Sequence, residues 1–131
     1  MAITTFGSID ELVNNAGIFF ARAFTEYTAE DFKALSSVNL EDFLYVTQGA
    51  VKQMLSQKSG GSVVTISASQ VVNPIAGVAA SVPMIIKCGL EAVTLSLASE
   101  YAKETFASTP SRQASSIEDA LHAGARFSGG F

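Results

Sequence analysis

The spacing of apolar residues along the chain predicts two strands, each followed by a long helix. Ile9 to Val13 is a short apolar run that ends at the turn Asn14-Asn15-Ala16-Gly17, which is typical of a strand. Ser62 to Ile66 is rich in β-branched residues and predicts a buried strand. A strand, helix, strand, helix order requires parallel strands joined by crossover helices. The pattern therefore predicts the α/β class.

The first helical segment begins at a capping-box sequence, Thr28-Ala29-Glu30-Asp31, and ends at Lys58-Ser59-Gly60-Gly61. Asn39 lies on its apolar face, and a buried Asn costs stability unless it is hydrogen bonded. Both a structural Asn that bends the helix and a functional Asn fit this position. The apolar positions that predict the buried face are Phe32, Leu35, Phe43, Val46, Ala50 and Met54.

The second helical segment runs from Pro83 to about Lys103, and proline is tolerated in a first helical turn. Cys88, the single cysteine, lies in this apolar segment and is predicted to be a buried, unreactive thiol. Lys87 fits a surface lysine whose stem covers apolar neighbours. The stripe predicted to face the core consists of Leu90, Val93, Leu97 and Tyr101.

Composition and charge narrow the classes of function. A chain of 131 residues with 48% hydrophobic and 15% charged residues suits one globular domain. A net charge of −4 argues against a nucleic-acid interface. The sequence shows no Cys/His cluster for a metal, no signal peptide and no apolar run of the roughly 20 residues that span a membrane. We therefore expect a cytoplasmic protein without a metal, nucleic-acid or membrane partner.

Several motifs, in order, resemble those of the short-chain dehydrogenase/reductase family. They are Leu12-Val13-Asn14-Asn15-Ala16-Gly17, Val38-Asn39-Leu40, Val63-Val64-Thr65-Ile66-Ser67, Lys87-Cys88-Gly89-Leu90-Glu91-Ala92-Val93 and Ala98-Ser99-Glu100-Tyr101-Ala102. The resemblance covers roughly residues 3 to 104. It implies a partial Rossmann-like, doubly wound fold in a domain at 1–104, with NAD or NADP as cofactor. It also implies oxidoreductase activity on a small alcohol or carbonyl substrate.

The same resemblance assigns candidate site residues. Asn39 matches the residue that holds a water in the family's proton relay. Lys87 matches the residue that binds the nicotinamide ribose and lowers the pKa of a Tyr four positions earlier. The Ser that binds the substrate oxygen corresponds to Ser69 by spacing or to Ser67 by the Ile-Ser pattern. The residues expected to border the cofactor, besides Lys87, are Asn14, Asn15, Ala16 and Gly17.

Two departures from the family pattern predict impaired chemistry. Pro83 stands where the family has its general acid/base Tyr, and proline has no proton to give. The glycine-rich turn that holds the cofactor pyrophosphate has no counterpart in this sequence. We expect the chain to be impaired or inactive alone. The alternatives are a non-catalytic remnant and an interaction module that forms a homo-oligomer through the two long helices.

A third departure follows Glu104. Residues 105–131 are rich in Ser, Ala and Gly and have no clear period apart from Ile117 to Leu121, which predicts a mostly unstructured tail. One permitted set of codons for Glu104 through Ile117 can be read one base earlier. It then spells Asn-Val-Arg-Val-Asn-Ala-Val-Ala-Pro-Gly-Val-Ile-Asp, which is the family's next strand. The sequence therefore predicts a reading-frame slip near Glu104.

Overall fold

A computed structural model describes residues 2–103 and, by their backbone, 106–113. Within these residues, the strands are β1 (Glu11–Asn14), β2 (Gly61–Ala68) and β3 (Phe106–Gln113). The α-helices in the same ranges are α1 (Ala2–Phe6), α2 (Ala29–Ser36), α3 (Asp42–Gln57) and α4 (Ser81–Glu100). A π-helical turn at Ser37–Glu41 joins α2 to α3, and short 3₁₀ turns lie at Phe24–Glu26 and Ser69–Val71.

The strands form one parallel sheet in the order β1-β2-β3. Leu12 lies opposite Val63 in the first pair of strands, and Gly61 lies opposite Phe106 in the second. Helices α2 and α3 connect β1 to β2, and α4 connects β2 to β3. The parallel α/β arrangement with long crossover helices is confirmed.

Strand β3 corrects the expectation that regular structure ends at Glu104. Eight residues, Phe106–Gln113, pair with β2 along its whole length. Local composition disfavours a strand here, because Pro110 has no backbone N–H to donate. Hydrogen bonding to the edge of β2 outweighs this weak local preference, because strand formation depends strongly on tertiary context. Residues 114–131, including the Ile117 to Leu121 segment, lie outside the described residues.

Helices α2 and α3 and the turn between them form one continuous helix that begins where the capping box predicts. The Thr28 hydroxyl accepts from the backbone N–H of Asp31, and the Asp31 carboxylate accepts from the backbone N–H of Thr28, each at 3.1 Å. At the other end, Lys58 adopts the left-handed conformation, with φ of 59°. The predicted helix limits are confirmed to within one residue.

The core lies between the helices and one face of β2. One cluster packs Ala50, Val51 and Met54 of α3 against Val63, and a second joins Leu35 to Val82 and Ile86 of α4. The predicted first stripe is wrong at Phe32 and Val46, which are exposed. The π-helical turn widens the spacing between buried positions to four residues, so Asn39, Phe43 and Thr47 face inward.

Helix α4 also differs from expectation. Among the described helices it alone is long and apolar enough to match a membrane span by length and composition, although no such segment was predicted from the sequence. It packs on β2 and β3, and its buried residues include Ile86, Leu90 and Thr94. Val93 and Cys88 lie on the outer face and are exposed, so the predictions that they are buried are wrong. The apolar character of α4 extends around the helix, which hid the true inner face.

Candidate functional site

A cleft of about 130 Å³ lies between β1, α3 and α4. Leu12, Val13, Phe43, Val46 and Leu90 are among its apolar lining residues. Its polar lining residues are Asn14, Asn15, Asn39, Asp42 and Lys87. Because parallel strands end at the same edge of a sheet, ligands of α/β proteins bind beside such carboxyl ends. The cleft is therefore the candidate site.

Asn39 fastens the π-helical turn to the loop that follows β1. Its side chain is buried, with 3% exposure. The amide Oδ1 accepts from the backbone N–H of Ile18 at 3.2 Å, and Nδ2 donates to the Ile18 carbonyl at 3.1 Å. The same Nδ2 donates to the Leu35 carbonyl at 2.7 Å. The helix distortion expected at Asn39 is thus present, and both of its amide N–H groups and its oxygen bond to the backbone.

Residue 17 is a glycine because a neighbouring side chain leaves no room for a Cβ atom. A Cβ atom at this position would overlap the Asn39 Oδ1 atom. Its φ is not positive, so backbone conformation does not demand glycine here. The turn Asn14-Asn15-Ala16-Gly17 and Asn39 are therefore mutually fitted, although Gly17 itself does not line the cleft.

Asn14 ends β1 and is held by the long helix. Its Nδ2 donates to the Thr47 hydroxyl at 3.0 Å, and Thr47 is buried. Thr47 of α3 thus positions Asn14, the first residue of the Asn-Asn-Ala-Gly turn. Asn39 positions Ile18, which directly follows this turn. The Asn15 and Ala16 side chains are exposed and border the same cleft.

Lys87 reaches the cleft from α4. Its ammonium donates to the carbonyl of Ile66 in β2 at 3.0 Å, and the residue is half-buried. Burial lowers the pKa of the Lys87 ammonium below its ordinary value, because the charged form loses hydration. Asp42 also lines the cleft, although it was not predicted as a site residue. Its signal was its position three residues after Asn39, on the same side of the helix.

The two candidate serines do not line the cleft. Ser67 is buried on the β2 face that meets the helices, and its hydroxyl has no hydrogen-bond partner among the described residues. Ser69 is half-buried at the start of a 3₁₀ turn, where its carbonyl accepts from Val72 and Asn73. Pro83 is buried in the first turn of α4 and does not line the cleft either.

Comparison with known proteins agrees with this arrangement. The family model described as enoyl-(acyl carrier protein) reductase matches residues 1–106. A 2-dehydro-3-deoxy-D-gluconate 5-dehydrogenase of Escherichia coli is 29% identical over 102 residues, covering 78% of this chain and 40% of that protein. An L-rhamnose 1-dehydrogenase (NAD(P)(+)) of Sphingomonas sp. is 38% identical over 66 residues, covering 50% of this chain and 26% of that protein.

Solved structures show the same likeness. Acetoin dehydrogenase from Enterobacter cloacae superposes with a TM-score of 0.79 and 26% identity, over 86% of this chain and 46% of its own. A 3-ketoacyl-(acyl-carrier-protein) reductase from Brucella melitensis, complexed with NADH, has the same fold, with a TM-score of 0.80 and 20% identity, over 86% of this chain and 48% of its own. The chain spans less than half the length of these relatives. With the family match over most of its length and the shared parallel fold, the chain belongs to the short-chain dehydrogenase/reductase family.

Proposed function

We propose that this chain carries part of the site of an NAD(P)-dependent oxidoreductase that acts on a small alcohol or carbonyl compound. The observation that carries the proposal is the convergence of Asn14, Asn15, Asn39 and Lys87 on one cleft at the carboxyl end of β1. These residues come from three separate segments of the sequence. Their meeting supports the site that the family resemblance predicts from these residues.

The cleft fits the nicotinamide-ribose end of the cofactor. The Lys87 ammonium has donors left beyond its bond to Ile66, and these suit ribose hydroxyls. The turn at Asn14, Asn15 and Ala16 supplies amide groups along the edge of the same cleft. Bound NAD(P) would supply hydride exchange with the substrate. The pyrophosphate end has no matching glycine-rich turn in this sequence.

Proton transfer to and from the substrate is the step that this site is least equipped to perform. Pro83 has no titratable group, and its ring is buried away from the cleft. The Asn39 side chain is occupied by Ile18 and Leu35, so its role is to shape the turn. The candidates for binding the substrate oxygen are Ser67, whose buried hydroxyl has no partner within the described part of the chain, and Ser69, although neither lines the cleft. We therefore propose that the chain alone has little or no activity.

A chimera tests the oxidoreductase proposal. The strands that precede this region in the Escherichia coli relative are fused ahead of residue 2, and NADH is titrated by fluorescence. We expect saturable binding that Lys87→Met weakens at least tenfold, about 1.4 kcal/mol, while Lys52→Met on exposed α3 leaves it unchanged. Pro83→Tyr in this chimera should then raise turnover of simple ketones. A folded chimera that binds no NADH, or one equally active with Pro83 and Tyr, contradicts the proposal.

Self-association through α3 and α4 is a second candidate function. Their outer faces expose large apolar side chains: Leu44 at 51% and Tyr45 at 67% on α3, Ile85 at 57% and Leu95 at 58% on α4. Contiguous exposed apolar patches commonly mark a contact surface, and we propose that these side chains contribute to one. Sedimentation velocity should show a dimer that Leu95→Glu dissociates. Val72→Glu, an exposed apolar control off both helices, should leave it intact. A monomer at all concentrations contradicts this role.

A further inference from the structure

Lys87 stands out in the cleft for a reason that needs no cofactor. Among the described residues that line the cleft, it supplies the one amine and Asp42 the one carboxylate. The ion pair found among the described residues joins Arg22 to Asp31, far along the chain from Lys87. The Lys87 amine is therefore held by a neutral carbonyl and not by a carboxylate.

Partial burial in this cleft raises the share of neutral amine relative to that of an exposed lysine, because the charged form loses hydration. A neutral amine keeps an N–H for the Ile66 carbonyl, 3.0 Å away, and its lone pair is then free for another atom. Apolar side chains that include Phe43, Val46 and Leu90 surround the same space. Lysines that are partly desolvated in an apolar pocket are the ones that form Schiff bases with carbonyl compounds. The lowered pKa of Lys87 agrees with this geometry.

We propose that Lys87 is an imine-forming site for small aldehydes with a short apolar chain. Its nitrogen attacks the carbonyl carbon, the C–N bond forms, and the carbonyl electron pair moves to oxygen, which takes up a proton. The nitrogen loses a proton to give the neutral carbinolamine. The nitrogen lone pair then expels the protonated hydroxyl as water, and loss of the remaining N–H proton leaves the neutral imine. Amine and aldehyde thus yield imine and water, with no oxidant or reductant.

Asp42 is the positioning and proton-carrying group in this scheme. Its carboxylate borders the cleft at the start of α3, and in this proposal it accepts the proton from nitrogen and returns it to the departing hydroxyl once the aldehyde is bound. Its negative charge also disfavours aldehydes that carry a carboxylate. The site therefore prefers butanal to the glyoxylate anion.

The test is reductive trapping on the whole chain. The protein is incubated at neutral pH with butanal and sodium cyanoborohydride, and labelled peptides are quantified by mass spectrometry. Exposed Lys33, Lys52 and Lys58 serve as internal controls within the same molecule. We expect Lys87 to be labelled severalfold faster than each of them, and this preference to vanish in urea.

Two variants separate the site from general amine chemistry. Lys87→Arg keeps the positive charge but should remove the fast-labelled peptide, whereas Lys52→Arg should not. Asp42→Asn should slow labelling of Lys87 severalfold and narrow the preference for butanal over glyoxylate. Labelling of Lys87 at the rate of Lys52 or slower, or no loss of rate in Asp42→Asn, overturns the proposal. This outcome is independent of NADH binding, so it also stands apart from the oxidoreductase proposal.

Discussion

At the scale of single residues, amide side chains on the long helix hold the strand β1 at both ends. Asn39 bonds both backbone groups of Ile18 beyond the strand. Gln57 does the same for Ile9 before it, accepting from the Ile9 N–H at 2.9 Å and donating to its carbonyl at 3.1 Å. Each amide side chain thus makes the two hydrogen bonds that the backbone of a neighbouring strand would make with that residue. The cleft-lining turn is thus positioned by its hydrogen bonds to the long helix.

Replacing Asn39 tests this fastening. Asn39→Ala leaves the Ile18 N–H and the carbonyls of Ile18 and Leu35 without their partner in a partly buried place. An unsatisfied buried group costs about 1–3 kcal/mol, so we expect the free energy of unfolding to fall by at least that amount. Urea denaturation followed by circular dichroism measures it. Gln48→Ala, at an exposed position of α3, is the control, and equal effects of the two changes would contradict the account.

Gly17 tests the fit from the other side. Gly17→Ala should destabilise the fold because the new methyl group overlaps Asn39 Oδ1. In an Asn39→Ala background this penalty should largely disappear, which a double-mutant cycle measures. Gly49→Ala is the matched control: open space surrounds that helical position, so it should stabilise by up to about 1 kcal/mol. A Gly17→Ala penalty that persists without Asn39 argues against the contact.

At the scale of elements, the sequence was sufficient where period and caps agreed. The Thr28 capping box and the β-branched run in β2 predicted real boundaries, since local hydrogen bonds and propensity decide them. The convergence of Asn39 and Lys87 followed from family resemblance. The inner face of α4 was missed because apolar residues surround the helix, so no period marks Thr94 as buried and Val93 as exposed. Asp42 was missed because a helix face alone does not reveal a cleft.

Strand β3 could not be predicted from its own residues because its partner lies elsewhere in the chain. Its eight residue pairs with β2 predict that removal of β3 lowers the free energy of unfolding strongly. A chain ending at Lys103 should lose several kcal/mol relative to one ending at Gln113, out of the roughly 5–15 kcal/mol of a typical domain. Thermal and urea unfolding of the two proteins compare them. Equal stability would show that β3 contributes nothing, as the sequence alone had suggested for residues 105–131.

The proposed frame slip is tested on the gene. The strand β3 occupies the residues whose codons, read one base earlier, would spell a Val-Arg-Val-Asn-Ala-Val segment. That segment is rich in β-branched residues and lacks Pro110, so it suits a strand better than the present one. The DNA for Thr105 to Ile117 should therefore encode it in the shifted frame. A different shifted translation ends the hypothesis.

At the scale of the whole molecule, three parallel strands and two long crossover connections form a layer that spans less than half of its relatives. The helices cover one face of β2, where Val63, Thr65 and Ser67 are buried, while Val64 and Ile66 on the other face are only partly covered. The cleft lies at one end of this layer, where we propose one part of a cofactor site. This sequence has no glycine-rich turn to bind the cofactor pyrophosphate, so it lacks the binding energy that this contact would supply.

The most direct test of this account is an NADH titration of the chain alone, followed by fluorescence. The account predicts no saturable binding below about 1 mM, which corresponds to less than roughly 4 kcal/mol of binding free energy. The chimera with the preceding strands should bind in the micromolar range under the same conditions. A dissociation constant in the low micromolar range for the chain alone would contradict the claim that it holds only the nicotinamide-ribose part of the site.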